Sequence, residues 1–188
     1  MHTVNLSNVS PDARAACAEI ARKADVNLRD CYQCGKCSAG CPMSEDMDLP
    51  PRQVIRKLQL GLLDEALSAS SPWLCAQCQV CSVRCPQGID ITGIMREVRR
   101  ASKAAGKRSL PESDVFEDLF LKKVKKKGRS NEQYLAASYN MSSGHLMQDM
   151  GSAPKMLSKG LVGVKAQSVR DIDAVRKIFE KCEEGRDA

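Results

Sequence analysis

Apolar residues recur along this chain at spacings of three and four, the period of a helix with one buried face, and strict polar–apolar alternation is nearly absent. Ser10-Pro11-Asp12 predicts a helix start, with serine as N-cap and proline at the first helical position. Ala13, Cys17, Ile20 and Ala24 then mark one face. Pro50-Pro51 opens a second run, with Val54, Ile55, Leu58, Leu62, Leu63 and Leu67 at helical spacing and Gly61 as the break that divides it. Ser71-Pro72 restarts a helix, and Asp90 is placed to cap another whose stripe is Ile91, Ile94, Met95 and Val98. Val115, Phe116, Leu119, Phe120 and Val124 form a further stripe, and Ser130 with Gln133 has the form of a capping box ahead of Tyr134 and Leu135. Glycine and serine then interrupt the pattern, and Met141, Met147, Met150 and Met156 fall in this looser stretch. A last helix is predicted from near Asp171, carrying Ile172, Val175, Ile178, Phe179 and Cys182. The fold class is all-α: a domain over residues 1–110, then a helical extension over 111–188.

Two segments depart from helical periodicity, and they hold the chemistry. Both read Cys-x2-Cys-x2-Cys-x3-Cys-Pro: Cys31, Cys34, Cys37, Cys41 and Pro42, then Cys75, Cys78, Cys81, Cys85 and Pro86. Eight of the ten cysteines are thereby placed. Soft thiolates in fours are what a cubane of iron and sulfide needs, and this spacing is that of bacterial two-cluster ferredoxins, in which the fourth cysteine ligates the other cluster. Two [4Fe–4S] clusters are therefore predicted, the first on Cys31, Cys34, Cys37 and Cys85, the second on Cys75, Cys78, Cys81 and Cys41. Structural zinc also takes four cysteines, but usually as two Cys-x2-Cys pairs separated by a longer stretch, without the third cysteine and the Cys-Pro ending. A disulfide framework belongs to secreted chains, and nothing here suggests secretion. Cys17 and Cys182, each on a helical stripe, read as small apolar residues rather than ligands.

The motifs match beyond their cysteines: Gln33 pairs with Gln77, and Ser38 with Ser82. They differ where Gly35 and Gly40, which free backbone amides to approach sulfur, face Gln79 and Arg84. Arg84 precedes Cys85, where a fixed cation would favour a reduced cluster; alternatively it simply faces water. Residues 42–74 lie between the motifs, long enough to insert one or two helices where a compact ferredoxin uses turns and strands.

Composition changes the picture mainly through charge. The formal net charge is +6, but two oxidised clusters on thiolates would bring it to about +2. Residues 96–129 hold twelve basic and five acidic side chains, densest at 122–129. Lysines at a helix C-terminus are the simplest account. Partner docking is a second, and nucleic-acid binding a third that lacks interleaved aromatics for stacking bases. No stretch reaches the ~18–20 apolar residues of a membrane span, and residues 1–11 show neither a basic n-region nor an apolar h-region, so a cytoplasmic location without a membrane is expected. His2 and His145 stand far apart without companion motifs, and neither a glycine-rich nucleotide fingerprint nor a flavin motif is visible. No catalytic residue is predicted; an electron carrier is the simplest reading.

The stretch Asp30-Cys31-Tyr32-Gln33-Cys34-Gly35-Lys36-Cys37-Ser38-Ala39-Gly40-Cys41-Pro42, continued by Pro51-Arg52, the following helix and Trp73-Leu74-Cys75, resembles the C-type subunits of heterodisulfide reductase. Residues 28–100 carry the resemblance. It implies an α-helical ferredoxin that takes electrons from a flavin-containing A-type subunit and passes them to a B-type subunit. That B-type subunit reduces the mixed disulfide of coenzyme M and coenzyme B in methanogenic metabolism. The resemblance also implies coupling of the A-type subunit to a hydrogenase or formate dehydrogenase in flavin-based electron bifurcation. An iron–sulfur subunit of a succinate, fumarate or glycerol-3-phosphate dehydrogenase system is the nearer alternative. A zinc-binding interaction protein is the more distant one.

Overall fold

The computed structural model describes residues 9–145, 148, 151, 153–159 and 168–184. His2 and the rest of residues 1–8, with Met147 and Met150, lie outside them. Among the described residues there are eleven α-helices and no strand. The chain divides into two compact units, Met1–Leu110 and Pro111–Ala188.

The first unit is built from α1 (Pro11–Lys23), α3 (Pro51–Leu60), α4 (Leu63–Ser68) and α7 (Ile91–Ala104), with three four-residue helices between them: α2 (Lys36–Ala39), α5 (Ser71–Leu74) and α6 (Val80–Val83). Each longer helix starts where its sequence says. Ser10 accepts a hydrogen bond from the Ala13 amide (3.1 Å) ahead of Pro11, and Asp90 accepts from the Gly93 amide (2.9 Å). Gly61 ends α3 at φ +75°, and any Cβ there would lie 2.8 Å from both Val9 Cγ1 and Arg14 Cγ. Handedness and space both require glycine at this turn.

Helix α7 is the central post, packed against α1, α3, α4 and α5. Its Ile91, Ile94, Met95 and Val98 meet Cys17 and Ile20 of α1, Val54, Ile55 and Leu58 of α3, and Ala66 and Leu67 of α4 in one core. Cys17 is buried and its thiol is pushed up to about 11 by desolvation, so it behaves as a small apolar side chain. Ser102, wholly buried on α7, donates to the Leu67 carbonyl (2.6 Å) and ties the far end of the post to α4.

The second unit holds α8 (Pro111–Lys127), α9 (Glu132–Ser143), α10 (Ala153–Ser158) and α11 (Ile172–Glu184), with α8 packed on α9 and α11. Here three sequence expectations need correction. The cap of α9 is Asn131, whose side chain accepts from the Tyr134 amide (3.2 Å); Ser130 Oγ is buried without a hydrogen-bond partner, so no Ser130–Gln133 capping box forms. The apolar stripe of α8 is only partly covered: Phe116 and Phe120 are exposed and Val115, Leu119 and Val124 half-buried, while Asp114 is buried. Phe116 instead stacks on Phe120 and meets Tyr139 edge-on, centroids 6.5 and 5.9 Å apart. Cys182 is exposed rather than packed in a core, as is Ile178 on the same helix. The lysine-rich segment is the last turn of α8, where cations complement the helix dipole. Lys125 pairs with Glu183 (2.7 Å) and Lys123 sits over the Tyr134 ring. No helix among the described residues is long and apolar enough to cross a membrane.

Candidate metal centres

The duplication seen in the cysteines is also a duplication of backbone and capping. Gln33 and Gly35 have φ +64° and +84°; Gln77 and Gln79 have φ +52° and +67°. Each motif thus alternates cysteines with left-handed residues, which curls the chain into a concave loop. A four-residue helix follows in each case, α2 or α6, and the two helices pack on one another. The matched serines have matched work. Ser38 Oγ accepts from the Arg52 amide in the first turn of α3 (3.0 Å), and Ser82 Oγ accepts from the Thr92 amide in the first turn of α7 (3.1 Å). Each loop is thereby pinned to the helix that follows it.

The cysteines repeat this symmetry in burial: Cys34 and Cys78 are exposed, Cys37 and Cys81 buried, and Cys31, Cys75, Cys41 and Cys85 intermediate. Cys41 does not stay with its sequence neighbours. It lines one cavity with Cys75, Cys78 and Cys81, walled by Met43, Met47, Thr92 and Met95. Cys85 is close enough to Tyr32 to act on its hydroxyl together with Cys34 and Cys31. Cys37 in turn feels the charge of Cys31.

The Gly40/Arg84 difference acquires a steric reason. A Cβ on Gly40 would sit 2.7 Å from Arg84 Cδ and 2.9 Å from its Nε. Arginine in one motif therefore fills the space that glycine leaves in the other. Arg84 remains exposed, but its stem crosses to the residue before Cys41, so it stands between the two motifs rather than beside Cys85 alone.

Burial pushes the Cys37 and Cys75 thiols up, with neighbouring cysteines adding to the effect. Thiolates in such a place need a cationic partner, and metal binding releases their protons. Among the described residues no three His, Cys, Asp or Glu side chains converge closely enough to hold a single metal ion. Cys41, Cys75, Cys78 and Cys81 around one cavity are a set of four soft thiol donors, which is the donor set an iron–sulfur cubane takes.

Three contributors were not legible in the motifs. Gln59 of α3 donates to the Leu28 and Cys31 carbonyls (2.8 and 2.9 Å) and accepts from Gln33 Nε2 (3.3 Å), which itself lies 3.4 Å from Cys31 Sγ. Thr92 Oγ1, wholly buried, lies 3.4 Å from Cys81 Sγ. Asp48 clamps α5, the helix that delivers the second motif. Its carboxylate accepts from the Ser70 and Ser71 amides (2.8 and 3.0 Å), from Ser71 Oγ (2.5 Å) and from the Leu49 amide (2.8 Å). The cap of α5 thus comes from a distant loop and not from the Ser71-Pro72 start.

Desolvation alone would raise the Asp48 carboxyl, but those hydrogen bonds outweigh it and hold it at about 2. Asp48 ionises more readily folded than unfolded, so its contribution is complete above the ordinary carboxylate range. It is lost as pH falls from about 4 through about 2. The side chain is exposed, so the contribution after solvent screening is about 1–2 kcal/mol. Asp48→Ala is expected to lower stability by that amount at neutral pH in anaerobic unfolding titrations of the loaded chain, whereas Asp48→Asn, which keeps one acceptor oxygen, should lose less. Stability unchanged in Asp48→Ala at neutral pH would contradict the assignment.

Residues 27–89 match the model of the 4Fe-4S dicluster domain family. The C-type iron–sulfur subunit of the CoB–CoM heterodisulfide reductase of Methanopyrus kandleri is 36% identical over 81 residues, which is 43% of this chain and 42% of that one. The C-type subunit of the H2:CoB–CoM heterodisulfide, ferredoxin reductase of Methanothermobacter thermautotrophicus is 36% identical over 80 residues, 43% of each chain. The corresponding subunit of the ferredoxin:CoB–CoM heterodisulfide reductase of Methanosarcina mazei is 33% identical over 88 residues, 47% of this chain and 54% of that one. The match spans less than half the length of the first two relatives. Residues 27–89 of this chain are thus similar to 4Fe-4S dicluster domains, and the chain is similar to the C-type iron–sulfur subunits of heterodisulfide reductases.

Proposed function

We propose that this chain is an electron-relay subunit of a heterodisulfide reductase complex. Cys31, Cys34, Cys37 and Cys85 hold one [4Fe–4S] cluster, and Cys75, Cys78, Cys81 and Cys41 hold the other. The observation that carries this reading is the meeting of Cys41 with the second motif around one cavity, while Cys85 shares the surroundings of Tyr32 with Cys31 and Cys34. When bound, each cluster supplies one-electron chemistry. The protein supplies thiolates, low-polarity walls and two routes to the surface, through exposed Cys34 beside exposed Tyr32 and through exposed Cys78. No acid–base constellation was legible in the sequence, and the thiols are the chemistry present. This supports transfer of electrons rather than conversion of a substrate.

On this reading, a flavin-bearing A-type subunit delivers electrons to one cluster and a B-type catalytic subunit takes them from the other. The terminal acceptor is the coenzyme M–coenzyme B heterodisulfide, and the assembly is cytoplasmic. A hydrogenase or formate dehydrogenase feeds the flavin subunit. The unit at 111–188, with exposed Phe116, Phe120 and Met141, is a docking surface within that assembly.

Reconstitution tests the proposal. Chemically reduced chain alone is expected to show reduced clusters and no disulfide reduction. Adding the catalytic subunit should give turnover, and omitting this chain should stop transfer from the flavin subunit. Heterodisulfide reduction by the isolated chain would overturn the relay assignment.

A further inference from the structure

The near-symmetry of the two motifs fails at the side chains that touch sulfur. Gln33 points its amide at Cys31 Sγ (3.4 Å), whereas the matching Gln77 is exposed and makes no side-chain hydrogen bond among the described residues. Thr92 points its hydroxyl at Cys81 Sγ (3.4 Å), whereas the matching residue in the first turn of α3 is Arg52, whose side chain runs past Gly35.

Both donors are held by a second layer. Ser82 Oγ accepts the Thr92 amide hydrogen (3.1 Å) and lies 2.9 Å from Asp90 Oδ1 and 3.1 Å from Thr92 Oγ1. With the Ser82 proton on Thr92 Oγ1, the Thr92 proton is free for sulfur; with it on Asp90, the Thr92 hydroxyl is shared between Ser82 Oγ and sulfur. The sulfur of a metal-bound thiolate has none to give. At the first motif, Gln59 Oε1 accepts from Gln33 Nε2 (3.3 Å), and Gln59 is itself anchored on the Leu28 and Cys31 carbonyls (2.8 and 2.9 Å).

We propose that Thr92 and Gln33 are positioning residues that set the reduction potentials of the two clusters separately, each through one hydrogen bond to a ligating sulfur. The inference rests on the reading of Cys81 and Cys31 as ligands of different clusters. One-electron reduction of a cluster from the 2+ to the 1+ core adds a negative charge that is partly carried by its sulfurs. A donor aimed at sulfur therefore stabilises the reduced state more than the oxidised one. Thr92 is wholly buried, and water cannot replace it. Gln33 is only partly buried, so water recovers part of what its loss removes.

The test is an anaerobic redox titration of the cluster-loaded chain, followed by electron paramagnetic resonance with dithionite as electron donor. T92V is expected to shift the reduction equilibrium of one cluster about tenfold toward the oxidised form, a fall of about 59 mV for one electron, and to leave the other unchanged. T92S, which restores the hydroxyl, should return to the wild-type value. Q33L should lower the other cluster by less. If T92V fails to retain iron, T92A is read in the same titration against T92S.

Wild-type potentials in T92V with eight irons retained would overturn the proposal. So would T92V and Q33L moving the same cluster. A wild-type chain that assembles no iron–sulfur cluster would instead overturn the ligand reading on which the proposal stands.

Discussion

Cys41→Ala is expected to abolish the second cluster while sparing the first, halving the iron from about eight to about four per chain. In sequence Cys41 belongs to the first motif, and local ligation would make its loss destroy the cluster on Cys31, Cys34 and Cys37. In the fold it faces Cys75, Cys78 and Cys81 across a shared cavity. The turn that carries it there is local: the Cys41 amide donates to the Ser38 carbonyl as α2 ends, and Pro42 then forbids continuation of the helix. Spectroscopy of paired variants separates the alternatives. Cys41→Ala and Cys78→Ala should lose the same paramagnetic component, and Cys34→Ala and Cys85→Ala the other. If Cys41→Ala and Cys34→Ala lost the same component, ligation would be local and the two halves would not be tied together through iron.

Ile94→Ala is expected to cost roughly 2–5 kcal/mol. Ile94 is 0% exposed near the start of α7, in the core that α7 shares with α1, α3 and α4. A cavity there would open inside the packed core, and α3 and α7 are themselves pinned to the motif loops. Ile178→Ala, on a side chain 61% exposed in α11, should change stability by no more than ~0.5 kcal/mol. Anaerobic denaturation of the loaded protein, monitored by the visible absorbance of the clusters and by helical circular dichroism, gives both values. Equal effects at the two positions would contradict the placement of the core in the first unit.

Those two isoleucines also show where sequence periodicity is informative. Ile94 and Ile178 sit on equally regular stripes, yet only the first is covered. Periodicity identifies a helix and its apolar face; it does not say whether another element covers that face. The helices, the Ser10 and Asp90 caps and the break at Gly61 were legible because each rests on interactions within a few residues. The cap of α9 falls one residue later than the sequence suggests, because Ser130 and Asn131 are both competent caps and only the chain path into α9 chooses between them.

The two four-cysteine motifs stand out in the sequence for a different reason, since the spacing that a cluster demands of its ligands varies little. Asp48, Gln59 and Thr92 do not stand out. Asp48 lies 22 residues or more from the serines it clamps, and Gln59 lies 28 from Cys31. Only the folded chain brings them together. Thr92 carried one usable sign: a polar residue at the second position of an otherwise apolar first turn, immediately after the Asp90 cap.

The most direct test of two crossed clusters is anaerobic iron and acid-labile sulfide analysis with Mössbauer spectroscopy on the chain as isolated. About eight iron and eight sulfide per chain, all in cubane environments, are expected from four of each per cluster. Stoichiometric zinc without iron, or only four iron in a fully folded chain, would contradict the account.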